Sequence, residues 1–375
     1  MRDALEGIRW NLETYRLVSL ERPVSRLVRT LLTHLGRSYG LPIIMDGGRS
    51  FTSDAPPQLL SVACDICRRT KDPSLAKLVV QVAQRLSKRL LEGKDVSSSV
   101  LDESLICSNP ASSWVDSVLE FGGRRRPARI PLDWGWMNFE EPRFALCEVN
   151  ALHIESLSKV LQVCRDAGLD APAEVTRLLE VLEGGFGRWF DTRGGLPAPT
   201  VAPAEGMVDE RRSSPGVVAA SLIGERLWST GRLRGFWETV REELLVWRRP
   251  VLIPGETMPF GIMVFGGGAE PYLDDRQYHG NTIWPRDTPY LIRLLELIGE
   301  DVSGLLLSNL DHQVCEAGFG YCSELFSLPT GGNPASTVHS ENPVPVKNPA
   351  QYWSHWCDPF LKHGAELGVA VEPLR

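Results

Sequence analysis

Residues 146–190 read LCEVNALHIESLSKVLQVCRDAGLDAPAEVTRLLEVLEGGFGRWF. Leu157, Val160, Leu161 and Cys164 recur at helical spacing, and Asp166-Ala167-Gly168 supplies a glycine stop. A few residues later Val175, Leu178, Leu179 and Leu182 repeat the spacing. The stretch therefore predicts two helices joined by a short link, and so short a link makes them antiparallel neighbours.

The pattern continues in both directions. Helical periodicity predicts helices near 3–16, 22–38, 54–69, 73–92, 146–167, 171–190, 214–230, 231–247, 284–299, 301–317 and 350–368, whereas clean period-2 runs are hard to find. Short connections near 17–21, 70–72, 168–170, 230 and 300 alternate with long ones near 39–53, 93–145, 191–213, 248–283 and 318–349. Helical hairpins with every long loop at one end are the pattern of an α/α toroid. The expectation is an all-α chain, a single (α/α)6 domain over 1–375. A two-layer solenoid would show a fixed repeat and short loops, and neither is present.

Forty Lys and Arg against 47 Asp and Glu leave a net charge of −7, which argues against nucleic-acid or anionic-membrane partners. No apolar run approaches the roughly 18 residues that span a bilayer. The opening MRDALEGIRW lacks the apolar stretch of a signal peptide. Eight cysteines are too few for a disulfide scaffold, so reduced thiols and a cytoplasmic location are expected. Cys64-Asp65-Ile66-Cys67 has metal-like spacing, but it falls mid-helix with no second pair, which predicts two packed thiols. Gly266-Gly-Gly268 is followed by no lysine that would make it a phosphate cradle. No cofactor and no metal are expected.

The long loops are rich in aromatics beside carboxylates and amides, the side chains a sugar site uses for stacking and hydroxyl recognition. Hydrolysis of a glycosidic bond needs two carboxyl groups flanking it. Asp116 sits in Trp114-Val-Asp-Ser-Val-Leu119, an apolar setting that would raise its pKa. Glu324 lies among Tyr321, Leu325 and Phe326.

Several stretches, in order along the chain, carry a resemblance: Thr52-Ser-Asp54-Ala55, Ser113-Trp114-Val115-Asp116, Cys147-Glu148-Val149-Asn150-Ala151-Leu152, Tyr278-His-Gly-Asn-Thr-Ile-Trp-Pro-Arg-Asp-Thr288, Ser323-Glu324-Leu325-Phe326 and Pro349-Ala-Gln351-Tyr-Trp353. Together they resemble the motifs of the (α/α)6-barrel glucosidases of the glycogen-debranching (amylo-α-1,6-glucosidase) family, and more distantly glucoamylase. The resemblance implies removal of α-linked glucose, with an α-1,6 branch as the bond, from a glycogen-like or oligosaccharide substrate. It implies Asp116 as general acid and Glu324 as general base of an inverting displacement, for which carboxyl groups lie about 6.5–9.5 Å apart. Substrate contacts would come from Arg2, Asp3, Asp54, Trp114, Glu148, Arg212, Tyr278, His279, Trp284, Asp287, Gln351 and Trp353. Glu148 has the alternative of serving the helix that starts near 146, and Asp54 that of capping the helix over 54–69.

Departures leave sugar and linkage open. Arg286 stands where the family more often has His, no acidic residue follows the base in Ser327-Leu-Pro-Thr-Gly-Gly332, and Val208-Asp-Glu-Arg-Arg-Ser213 only faintly resembles the family's arginine-proline-asparagine element. Met1-Arg2-Asp3 resembles the tail of a motif from the family's first long loop. The expectation is therefore a barrel lacking its first helix and the family's β-rich N-terminal domain, with two alternatives: a separate chain supplies the missing helix, or the reading frame is truncated or starts too late. Two further readings stay open: another α-glycosidase on the same barrel, trehalase-like or glucosylglycerate-type, or a non-catalytic carbohydrate-binding subunit.

Overall fold

A computed structural model describes residues 2–41, 51–121, 123–192, 195–266, 272, 277–280, 282–316, 322–328, 342–346 and 354–364. These form twelve α-helices and eleven short β-strands, divided between two compact units: Met1–Asp191 with Thr200–Asp209, and Thr192–Pro199 with Glu210–Arg375.

The first unit holds α1 (Arg2–Arg9), α2 (Leu12–Leu17), α3 (Glu21–Ser38), α4 (Ala55–Thr70), α5 (Pro73–Leu91), α6 (Cys147–Ala167) and α7 (Ala173–Trp189). Helix α4 packs on α6, α1 and α3, and α5 packs on α6 and α7. Leu59, Val62 and Ala63 of α4 and Val149, Leu152 and Val160 of α6 are fully buried, each larger aliphatic contributing about 1.5–3 kcal/mol. Asp72 starts α5 by accepting from the amides of Ser74 and Leu75, with Pro73 at the first turn. Gly168, at φ 64°, ends α6 where the glycine stop was expected.

The loops of this unit carry strands that a period-2 search misses, because each is only two to four residues long: β1 (Val100–Asp102), β2 (Leu105–Ser108), β3 (Val118–Phe121), β4 (Arg124–Pro127), β5 (Phe144–Leu146), β6 (Thr200–Ala202) and β7 (Met207–Val208). Five make one antiparallel sheet in the order β1-β2-β5-β6-β7, and β3 pairs with β4 in a hairpin. The chain is thus mainly helical rather than all-α. The single helix expected over 3–16 is two, because the Asn11 side chain donates to the Gly7 carbonyl at 2.7 Å and competes with the helical ladder.

The second unit holds α8 (Ser214–Leu227), α9 (Thr230–Glu243), β8 (Leu245–Arg248), β9 (Met258–Ile262), α10 (Thr288–Ile298), α11 (Ser303–Cys315), β10 (Leu325–Ser327), β11 (Val344–Val346) and α12 (Asp358–His363). Helix α10 packs on α8 and α9, and α11 on β9. The helix expected over 231–247 stops at Glu243, because Leu245–Arg248 pairs antiparallel with β9 and tertiary pairing outweighs local periodicity. The helix expected from 284 opens as a 3-10 turn, Pro285–Asp287, before the α-helix proper begins at Thr288 with Pro289 in its first turn. Only Asp358–His363 of the helix expected over 350–368 is helical among the described residues. No helix among the described residues is long and apolar enough to cross a membrane.

Candidate active site

In the first unit the site is built around the loop that leads to β3. Trp114 and Val115 turn inward, 2% and 1% exposed, which anchors the loop and leaves Asp116 beside apolar surface. Ser113 is held from three sides. Its hydroxyl donates to Glu148 Oε1 at 2.9 Å and accepts from Arg129 Nη1 at 2.7 Å. Its carbonyl accepts from Arg2 Nη1 at 2.7 Å. Ser112 adds a fourth tie, accepting the Ser53 amide at its carbonyl and meeting the Ser53 hydroxyl at 2.9 Å.

Arg2 also reaches Asp116, donating from Nη2 to Oδ2 at 2.9 Å, and its Nε lies 3.6 Å from Asp3. Asp54 acts on Arg2 through its charge. The Asp116 carboxyl is nevertheless raised above the ordinary aspartate range: loss of surrounding water is the largest influence and outweighs the Arg2 cation, although 34% of the side chain still meets solvent. Loop, helix start and cation therefore converge on one carboxyl whose pKa burial raises.

The other candidates of this unit take definite places. Asp54 is wholly buried and occupies the N-cap position of α4, but its side chain makes no capping bond; Thr52 Oγ1 takes the Ala55 amide instead. Capping thus falls to Thr52. Glu148, fully buried in the first turn of α6, forms a two-pronged ion pair with Arg129 at 2.8 and 3.1 Å. It braces the Asp116 loop through Ser113. Arg129 and Ser113 were not among the residues expected to matter. In the sequence Arg129 sits behind Arg124-Arg-Arg126 and reads as part of a solvated charge run, yet it is 0% exposed.

A cavity of about 420 Å³ adjoins this loop, lined by Phe51, Asn109, Ser112, Arg125, Phe139 and Glu140 among others. Its size lies in the range of small-molecule sites, and it pairs two rings with hydrogen-bonding and charged groups.

In the second unit Tyr278, His279 and Trp284 form one aromatic cluster. His279 stacks on Trp284 at 4.7 Å between ring centroids, and Tyr278 meets Trp284 edge-on at 4.9 Å. Trp284 Nε1 donates to the Tyr278 carbonyl at 3.0 Å, closing the turn. The Tyr278 hydroxyl donates to Oε1 of Glu324. Backbone bonds fix that meeting: Ile283 and Phe326 exchange amide-to-carbonyl bonds at 2.9 and 2.8 Å, so the segment before Trp284 lies beside the one after Glu324. Met263, Ile283, Phe326 and Leu328 form the apolar floor beneath. Trp284, His279 and Asp287 are at most 2% exposed, and Glu324 is 4% exposed. Arg286, also buried, pairs with Asp287 at 3.3 Å and lies over the Tyr290 ring.

Arg212 pairs with Glu243 at 3.6 Å and donates to the Glu210 carbonyl, a surface role rather than a place in the aromatic cluster. Gln351 and Trp353 lie outside the described residues. No group of His, Cys, Asp and Glu among the described residues is arranged to hold a metal ion. None of the eight cysteines is in a disulfide, and Cys64 and Cys67 lie buried in α4.

No protein-family model matches the sequence, and no curated protein does. Solved structures do match. The chain is similar to the GH63 mannosylglycerate hydrolase of Thermus thermophilus in complex with Tris, at TM-score 0.63 and 13% identity over 96% of this chain and 92% of that one. It is similar to neutral trehalase from Saccharomyces cerevisiae at TM-score 0.56 and 11% identity, over 99% of this chain and 73% of that one. A metal-independent α-mannosidase from Streptococcus pneumoniae gives 0.55 and 13%, over 97% and 84%. At such identities the likeness is one of fold, shared with glycosidases of the (α/α)6 toroid class, and it does not single out a debranching enzyme.

Proposed function

We propose that the chain hydrolyses an α-glycosidic bond by a single displacement that inverts the anomeric carbon, with Asp116 as acid and Glu324 as base. The observation that carries this is the placement of Asp116: its carboxyl follows the buried Trp114 and Val115 in a loop braced by Arg2, Ser53, Arg129 and Glu148, and the loss of surrounding water raises its pKa. A neutral carboxyl is what a departing glycosidic oxygen needs, since it must receive a proton as the bond breaks. Glu324 takes the proton from the attacking water, and the Tyr278 hydroxyl donates to its Oε1. Neither group needs to be regenerated by a covalent intermediate: one gives a proton, the other gains one, and bulk water restores both. We assign the leaving group to the cavity lined by Phe51 and Phe139.

The substrate this reading favours is α-linked glucose on a glycogen-like or oligosaccharide chain, with the α-1,6 branch first, on the strength of the ordered motifs around Asp116, Glu148, Tyr278 and Glu324. A second reading is a short α-glycoside, such as an α-mannoside of glycerate or a disaccharide, and it is favoured by the fold shared with the hydrolases named above. A panel of limit dextrin, isomaltose, trehalose, mannosylglycerate and glucosylglycerate, read by release of free sugar, separates the two. Asp116→Asn and Glu324→Gln should each lower turnover by about a hundred- to ten-thousand-fold. On a glycosyl fluoride, whose leaving group needs no proton, Asp116→Asn should recover most of its rate while Glu324→Gln should not. Near-normal turnover by either variant on the best natural glycoside rejects the assignment, and proton NMR of the first-formed anomer tests inversion.

A further inference from the structure

The buried face of α1 carries charges beside the apolar Leu5 and Ile8. Arg2, Glu6 and Arg9 stand at i, i+4 and i+7, one stripe of the helix, with Leu5 between them. Glu6 is 1% exposed, Arg9 8%, and the Arg2 side chain 11%. Each has a named partner. Glu6 accepts from Gln58 Nε2 at 2.8 Å and from Trp10 Nε1 at 3.1 Å. Arg9 binds both oxygens of Glu155 at 3.2 and 2.9 Å, and Glu155 also takes the Ser61 hydroxyl at 3.0 Å and lies 3.3 Å from Lys159. Lys159 in turn meets Asp65 at 2.7 Å.

Burying charges is expensive even when they are paired, and well-packed apolar residues of similar volume would usually be as stabilising or more so. What a stripe of paired charges does better is fix register. Apolar helix faces tolerate rotation and sliding, whereas a shift of one turn, about 5.4 Å, would break every pair on this face at once. Register matters here because of what the first turn carries.

We propose that α1 is the positioning element for Asp116: Arg9 on Glu155 and Glu6 on Gln58 dock the helix against α4 and α6, and so docked it delivers Arg2 to Oδ2 of Asp116, which leaves the acid proton on Oδ1. Arg2 thereby acts on the carboxyl and not on substrate, and Arg9, Glu6, Gln58 and Glu155 are positioning residues. The inference rests on the acid role of Asp116 for its significance, but its geometry does not. The charged groups that act on Asp116 are Arg2 and Asp3 of α1, with Asp54 ahead of α4 acting on Arg2.

The test is a carbon-13 NMR titration of the whole chain labelled at aspartate carboxyls, with the Asp116 signal assigned by its loss in Asp116→Asn. No substrate is present, so a failed sugar panel would overturn the glycosidase reading and leave this result standing. Removing the cation in Arg2→Met should raise the Asp116 midpoint by about one pH unit. Arg9→Met should raise it in the same direction, and Arg9→Lys should bring it back toward the wild-type value. If Arg9→Met does not fold, Gln58→Leu reads the other docking pair by the same signal. A midpoint that stays at the wild-type value in the docking variants, while Arg2→Met moves it, overturns the positioning role; no movement in Arg2→Met overturns the clamp itself.

Discussion

Burial moves two titratable side chains of the first unit in opposite directions for one reason: poorly hydrated surroundings disfavour charge. It raises the carboxyl of Asp116, whose neutral form is the acid, and lowers the imidazole of His153 to about 4, whose neutral form is the base. For Asp116 the consequence is chemical; for His153, on the buried side of α6, it is stability. An unfolded His153 titrates near 6.5, so between about 4 and 6.5 the unfolded chain holds the extra proton. Stability therefore rises with pH across that window, and what is present above 6.5 is lost as the pH falls to 4, on the order of 3 kcal/mol. Denaturant unfolding followed from pH 7 to pH 4 should show this loss, and His153→Phe should flatten the slope by one proton; an unchanged slope in the variant rejects the claim. Single residues were legible in the sequence where neighbours announced their surroundings. Trp114 and Val115 told that Asp116 would sit against apolar protein. Nothing beside Arg129 told that it would leave the basic run: Arg124 and Arg125 are exposed, and Arg126 and Arg129 are buried.

That buried arginine joins two elements that the chain separates, the segment after β4 and the first turn of α6. With Glu148 it forms a fully buried pair that also holds Ser113 and so the loop of Asp116. Removing one partner strands a charge without water, which typically costs about 3–5 kcal/mol. Arg129→Met and Glu148→Leu should each lower the unfolding free energy by that order in urea titrations. The double variant should lose much less than the sum, because the second change removes the charge that the first stranded. Strict additivity would show that the pair is not an interacting unit. The same pair explains a limit of sequence reading. Helix interiors were legible because burial repeats every three or four residues, as in α6 and α7, and the turn at Gly168 followed from its freedom to adopt positive φ. Element ends were set by particular bonds that periodicity does not carry. Asn11 broke the first helix with its own side chain, β9 drew Leu245–Arg248 out of the ninth, and Thr52 capped α4 from outside it.

Across the whole chain the eight thiols test where water reaches. Cys64 and Cys147 are raised well above the ordinary thiol range by burial, Cys67, Cys107 and Cys322 are pushed up to about 12, and Cys164 is raised as well. A thiol attacks a disulfide reagent only as thiolate, so these six are slow for two reasons at once, little access and little anion. Cys315 and Cys357 are exposed. The sequence made the quiet nature of Cys64-Asp-Ile-Cys67 legible through its place in a helix, but the burial of Cys107 depends on β2 pairing with β5, which two short strands far apart in sequence could not reveal. In the native protein at pH 8 an aromatic disulfide should therefore react promptly with two thiols, and with all eight once denaturant is added. Peptide mapping should find the early label on Cys315 and Cys357. Prompt labelling of Cys64 or Cys67 instead would mean that α4 opens readily, and with it the packing on α6 that carries the Asp116 loop.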